Sequence, residues 1–280
     1  MLVSGLGLAD ASGATAEGIA SIDWTLAETL VALEAPPRGV AQADAYHDWV
    51  AEPRLSDRVI DLGLRSQPNL ELLAQLAPSK ILISPMFTHL APRLGRVAEV
   101  DSVSLYTLQQ DTWSEVLEVT RSLADATGRA AAAEALIDNA ATRFETLRQR
   151  LPERVAPLLI VQFMDDRHVR VFGEHALYQA VLEQLGLENA WQEPTNAWGF
   201  SLVGLERLVE LDARLVVVEP YPTGVEEKLR RSALWQHLPS VRDGTWLTLP
   251  PAWSFGALPS AQRFAEHLVA KLAAAPETGS

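Results

Sequence analysis

The sequence predicts an α/β protein in which two α/β lobes, each with a central sheet, are joined by one long backbone helix. Three observations carry this. The first is the stretch Thr127 to Leu151, TGRAAAAEALIDNAATRFETLRQRL, which is rich in Ala and has no internal Pro. Ala133, Leu136, Ala140, Phe144, Leu147 and Leu151 recur at three- and four-residue steps and form one apolar stripe. Arg129, Glu134, Asp138, Arg143, Glu145 and Arg148 lie off that stripe, and Pro152 ends the helix. At ~1.5 Å per residue the helix runs roughly 35 Å, about the width of a small domain. Such a helix either packs along one core or joins two globular halves.

The second observation, a repeat across the helix, favours joining. Leu70-Glu71-Leu72-Leu73-Ala74-Gln75-Leu76 precedes Lys80-Ile81-Leu82-Ile83-Ser84-Pro85. Leu205-Glu206-Arg207-Leu208-Val209-Glu210-Leu211 precedes Leu215-Val216-Val217-Val218-Glu219-Pro220. Both read as a helix feeding a buried strand, and the register holds without a gap from Leu70/Leu205 to Pro85/Pro220. The third observation is that strands alternate with helices on both sides of the helix, as in α/β sheets.

In chain order, residues 1–18 are rich in Gly, Ala and Ser and read as a flexible extension. Ile19 to Ile22 is a first strand, Asp23 caps a helix from Trp24 to Leu33, and Gly39 to Ala41 is a second strand. Ala45 to Pro53 reads as a loop or broken helix carrying Tyr46 and Trp49. Val59 to Gly63 is a strand with Arg65 just beyond it, and Met86 to Pro92 is a loop after the first repeat. A helix spans Trp113 to Ala126. Leu158 to Phe163 and Val169 to Phe172 are strands joined by the turn Asp165 to His168. Ala176 to Leu185 is a helix, Asn189 to Gly199 a loop with two Trp, and Glu226 to Trp235 a helix. Trp246 to Leu249 is the last strand, Pro250 to Pro259 carries Trp253 and Phe255, and Ser260 to Ala273 is the closing helix. The expected division is 1–18 extension, 19–124 first lobe, 125–152 connecting helix, 153–273 second lobe and 274–280 tail.

Composition narrows the function. At 280 residues, 48% apolar, the chain has enough to fill real cores, and no run approaches the length of a membrane span. A formal charge of -13 and a pI near 4.9 argue against nucleic-acid binding, which needs a basic footprint. With no Cys in the sequence given, neither a disulfide nor a thiolate metal site nor a Cys-borne lipid anchor is expected within it. Met1 to Gly18 lacks a secretory pattern, so the protein is cytoplasmic or its signal has been removed.

Catalytic patterns are missing. There is no phosphate-cradling Gly loop and no Gly-x-Ser-x-Gly elbow, and Gly5-Leu6-Gly7-Leu8-Ala9 follows no strand. The six His residues are scattered, none at the spacing of a helical metal site. An α/β enzyme would need acid/base residues converging from remote positions. Large aromatics on loops next to strands stand out instead: Trp49, Phe87, Trp198, Trp253 and Phe255, with Arg65 after a strand. Ligands of open α/β sheets bind at the carboxyl ends of strands. Rings supply flat apolar area and a guanidinium a fixed fork of donors, which suits a bulky ligand with clustered oxygens. Each Trp, taken alone, is read equally well as a core or lid residue or as a ligand wall, and Arg65 as a surface ion pair.

Several segments share a pattern. They are Trp49 to Pro53, Val59 to Arg65, Pro68 to Leu73, Asp166-Arg167-His168 with Val171-Phe172-Gly173, Asn189 to Gln192, Thr195-Asn196 with Trp198-Gly199, and Pro251-Ala252-Trp253 with Phe255-Gly256-Ala257. Through them the chain, from about Ile19 to about Leu272, resembles the ferric-hydroxamate siderophore-binding proteins of Gram-negative periplasms. These are class III substrate-binding proteins of ABC importers. The resemblance implies a monomeric periplasmic protein, trimmed of its signal peptide, that takes no cofactor and performs no catalysis. It implies an interlobe cleft holding an iron(III)–hydroxamate siderophore for an inner-membrane ABC permease, the siderophore and not the protein ligating the iron. It also assigns roles: Arg65 to hydroxamate oxygens, Trp49, Trp198 and Trp253 to aromatic walls, Glu206 to permease docking. Phe87 and Phe255 fall where the family pattern has Tyr, so each lacks one donor. The alternative cargo on the same fold is haem, a corrinoid or a ferric catecholate. A triply anionic catecholate calls for several cleft cations, and the sequence places only Arg65 there.

Overall fold

Residues 18–274 of the computed structural model are described here. The expected extension and tail therefore lie outside the described residues, except for Gly18 and Ala274. The first half contains β1 (Ile19–Ser21), α1 (Trp24–Ala32), β2 (Gly39–Val40), α2 (Ala43–Trp49), β3 (Ile60–Asp61), β4 (Gly63–Leu64) and β5 (Gln67–Pro68). It continues through α3 (Leu70–Leu76), β6 (Lys80–Ile83), α4 (Ala91–Leu94), β7 (Glu99–Ser102), α5 (Thr112–Thr127) and α6 (Ala130–Arg148). The second half contains β8 (Leu158–Phe163), β9 (His168–Phe172), α7 (Leu177–Leu185), β10 (Phe200–Gly204), β11 (Arg214–Val218), α8 (Val225–Arg230), α9 (Ala233–His237), α10 (Pro239–Arg242), β12 (Leu247–Leu249) and α11 (Leu258–Ala274).

Two five-stranded sheets result, ordered β3-β2-β1-β6-β7 and β10-β9-β8-β11-β12. The repeat strands β6 and β11 hold the same place in each, next to the first strand of their half. The halves nonetheless differ. The first sheet is parallel throughout, whereas β8-β9 and β9-β10 are antiparallel. The cause is local: the Asp165–His168 turn sends β9 straight back. Asp165 accepts from the Arg167 and His168 backbone N–H groups at 2.7 and 2.8 Å, closing an Asx turn.

Side-chain alternation along the central strands divides the apolar residues among three clusters. Ile81 and Ile83 face an outer cluster with α3 and α4, while Leu82 faces inward. Leu159, Val161, Leu215 and Val217 face a second outer cluster with α8 and α9, while Leu158, Ile160, Val216 and Val218 face inward. The inward residues of both sheets join one central cluster with α1, α5, α6, α7 and α11; Leu30, Leu123, Phe144, Tyr178 and Phe264 are fully or almost fully buried in it. The lobes thus share a core and are not held by the connecting helix alone.

That helix is shorter than expected. Gly128 takes the left-handed conformation (φ 66°) and ends α5 at Thr127, so α6 begins at Ala130 and spans 19 residues, roughly 28 Å. Its stripe holds: Ala133, Ala140, Phe144 and Leu147 are buried. Three further expectations are corrected, and two edge strands are added. The second repeat helix is a 3-10 helix, Leu205–Glu210, where the first is α-helical and capped by Asn69 on the N–H groups of Glu71 and Leu72. Glu226 to Trp235 is two helices, because Ser232 caps a new one on Trp235 N. Met86 to Pro92 is helical, as the 3-10 helix Pro85–Leu90 running into α4. The edge strands β7 and β10 carry too few strong strand formers in a row to stand out in the sequence.

Candidate ligand-binding site

The carboxyl ends of β1, β6 and β7 open on one place. β1 leads to Asp23 and Thr25, β6 to Ser84 and Met86, and β7 to Val103, Leu105 and Tyr106. Across from them stand Trp253 and Phe255, which follow β12, and Trp198, which precedes β10. Arg65 closes the cavity from the turn between β4 and β5, a short antiparallel hairpin. The space left between the side chains is about 20 Å³, room for one water.

The Arg65 guanidinium lies 3.7 Å from the centroid of the Trp24 ring, 5.5 Å from that of Trp253 and 5.7 Å from that of Phe87. Stacking on rings holds the planar group without using its in-plane donors. Its Nε is buried and has no hydrogen-bond partner. Burial lowers its pKa and the nearby Asp23 carboxylate acts the other way, but a guanidinium stays charged in either case. Asp23 is itself engaged by the Thr25 N–H at 2.8 Å and the Ser84 hydroxyl at 2.7 Å. The site therefore offers a charged donor that no protein group satisfies.

The sequence-derived residues converge, with distinctions. Trp253 packs edge-on against Trp49 at 6.2 Å and Phe255 at 5.3 Å, and Trp198 against Phe255 at 6.0 Å. Trp49 and Trp198 are half-buried, while Trp253 and Phe255 are buried. The Trp253 indole N–H already donates to Thr25 Oγ1 at 3.2 Å. Phe87 is placed differently from an open wall: it is buried in the outer cluster of the first lobe, below Arg65, and Met86 beside it lines the cavity. Glu206 is exposed on the 3-10 helix Leu205–Glu210 that follows β10, and it does not line the cavity.

Three contributors were not read from the sequence. Trp24 forms the floor under Arg65; it is 2% exposed and its N–H donates to Ala41 O at 2.9 Å. It sits in the first turn of an apolar helix, where a Trp signals only core. Tyr106 lies on an irregular loop with φ 64° and donates to Gly256 O across the lobes at 2.7 Å. Arg170 on β9 lies 5.0 Å from the Phe200 ring and 5.4 Å from the Phe255 ring. Period two puts it on the face of Phe172, and only the fold brings Phe200 and Phe255 to it.

A larger groove, about 660 Å³, runs between Leu108–Thr112 and the Glu174–Glu193 region. It contains none of the sequence-derived site residues, and its lining is polar and acidic. Among the described residues, no three His, Cys, Asp or Glu side chains are placed to hold a metal ion, and no helix is long and apolar enough to cross a membrane.

Fold and site together define a two-lobed substrate-binding protein of class III. The pattern of the periplasmic binding protein family matches residues 19–252, and the chain belongs to that family. The iron(3+)-hydroxamate-binding protein FhuD of Escherichia coli is 34% identical over 252 residues, 89% of this chain and 85% of that one. The crystal structure of the Fe3+-Desferal-bound siderophore-binding protein FhuD from Vibrio cholerae superposes with a TM-score of 0.87 at 28% identity, covering 92% of this chain and 98% of that one. The fold also matches that of the triscatecholate siderophore-binding protein FeuA from Bacillus subtilis, with a TM-score of 0.76 at 19% identity over 92% and 93% of the two chains.

Proposed function

We propose that this protein captures an iron(III)–hydroxamate siderophore between its lobes, read as 19–124 and 153–273, and hands it to an inner-membrane ABC importer. It acts in the periplasm, as a monomer, and without a catalytic step. The observation that carries this reading is Arg65: a stacked, charged donor with no protein acceptor, facing a ring-walled cavity. Hydroxamate oxygens around iron present the clustered acceptors it lacks. The hydroxamate-binding relatives support the same cargo. A chelate is far larger than the space between the rings, so it rests across the mouth or parts the walls, where half-buried Trp198 and exposed Met86 have room to move.

Tryptophan-fluorescence titration with ferric linear, cyclic and citrate-based hydroxamates tests this. At least one should quench the emission with saturable binding; a flat response to all of them sinks the reading. Glu206, on the solvent side of the second lobe, is the proposed contact to the permease. Glu206→Arg should leave the quenching unchanged and slow siderophore uptake by cells, and equal uptake would remove it from that role.

A further inference from the structure

Two cations among the described residues are held against rings without an ion pair. Arg121, Arg143 and Arg207 each grip a carboxylate. Arg65 and Arg170, both half-buried, form no ion pair among the described residues. Burial lowers the pKa of only three arginines in the described chain: these two and Arg214, and Arg214 donates to Thr245 O at 2.7 Å. Arg65 belongs to the first lobe and Arg170 to the second. The Trp253 and Phe255 rings, 5.3 Å apart, stand between them.

Arg170 is reached along a continuous apolar strip. Phe255 touches Phe200 at 5.9 Å, Phe200 lies under the Arg170 guanidinium, and Leu202, directly across the ladder from Arg170, is 62% exposed. A ligand seated at Arg65 and extending over Phe255 therefore arrives at a second guanidinium. Leaving a charge half-desolvated and unpaired is costly.

We propose that Arg170 is a specificity residue that selects ferric hydroxamates carrying a free carboxylate. The inference rests on the function proposed above. A neutral tris-hydroxamate core occupies Arg65, and an appended carboxylate reaches Arg170. Asp23 beside Arg65 offsets one positive charge in the cavity, so the cleft suits a chelate with one extra negative charge better than a trianion.

The test compares ferric Desferal, a linear tris-hydroxamate ending in an amine, with its N-succinyl derivative, which has the same iron core and ends in a carboxylate. Wild-type protein should bind the succinyl chelate at least tenfold more tightly. Arg170→Met, which keeps the apolar stem, should cut that preference below threefold, with the loss falling mainly on the succinyl chelate. Arg170→Lys should retain most of the preference, which separates loss of charge from damage to the fold. If both chelates bind and wild type shows no preference, or if Arg170→Met leaves the preference intact, Arg170 has no such role and the proposed function stands. If neither chelate nor any other ferric hydroxamate binds, both fail.

Discussion

Arg65, the proposed ligand contact, is held in place by rings and left without an acceptor. Its charge sits on Trp24 and beside Trp253, and its Nε is buried without an acceptor. A hydrogen bond to a charged group contributes about 1.5–3 kcal/mol. Arg65→Ala should therefore weaken ferric-hydroxamate binding at least tenfold, or ~1.4 kcal/mol, as read by fluorescence titration; unchanged affinity would remove Arg65 from the site. At this scale much was legible. Trp198, Trp253, Phe255 and Arg65 flank strand ends, where an α/β ligand sits, while Trp49 closes α2 and packs on Trp253. Phe87 was not, because a ring in a short apolar helix gives no sign of which face it turns to the core. Trp24 and Arg170 were missed for a related reason: each looked like an ordinary member of its helix or strand, and only its neighbours from distant segments give it a part in the site.

Among the elements, the break at Gly128 is the clearest lesson. A run of helix formers from Thr127 onward looked continuous, yet Gly128 at φ 66° turns the chain between α5 and α6. No heavy atom lies within 4 Å of where a Cβ would stand, so the cost of adding one is conformational and not steric. Gly128→Ala should lower stability by about 1–2 kcal/mol, seen as a drop of a few degrees in Tm. An unchanged Tm would mean that the helices fuse at no cost. The two repeats teach a second point. Identical patterning of Leu and Glu gave an α-helix once and a 3-10 helix once. In the first copy Asn69 caps the turn with its side chain, and in the second Gly204 has none to offer.

Across the whole molecule the lobes are fastened by more than a helix. Thr25 Oγ1 donates to Phe255 O at 2.6 Å, and Glu28, fully buried in α1, accepts from Ala257 N at 2.6 Å and from the Ser260 hydroxyl. Desolvation of that carboxyl raises its pKa from 4.5 to about 8, against the pull of its two donors. The folded state therefore holds the proton more tightly than the unfolded chain. The stability this group contributes is complete below about pH 4.5 and is lost as the pH rises toward and through about 8. Glu28→Gln keeps an acceptor for Ala257 and has no charge to bury. Its Tm should fall less than that of wild type between pH 5 and pH 8.5, with roughly 2–4 °C separating the curves for each kcal/mol; parallel curves would rule Glu28 out as the titrating group. A fastening of this kind also keeps the rings of both lobes in register at the cavity.

Local patterning in the chain was enough to specify the α/β class, two related halves, most strands and helices, and the residue types from which the cleft is made. Periodicity and turn chemistry act over a few residues, so they can be read without the fold. Tertiary structure alone decided which rings face the opening, that the two sheets share one core, that Glu28 is enclosed between lobes, and that Arg170 stands across two rings from Arg65. Those outcomes depend on the desolvation of one segment by another, and segments hundreds of residues apart in sequence carry no local mark of whom they will meet.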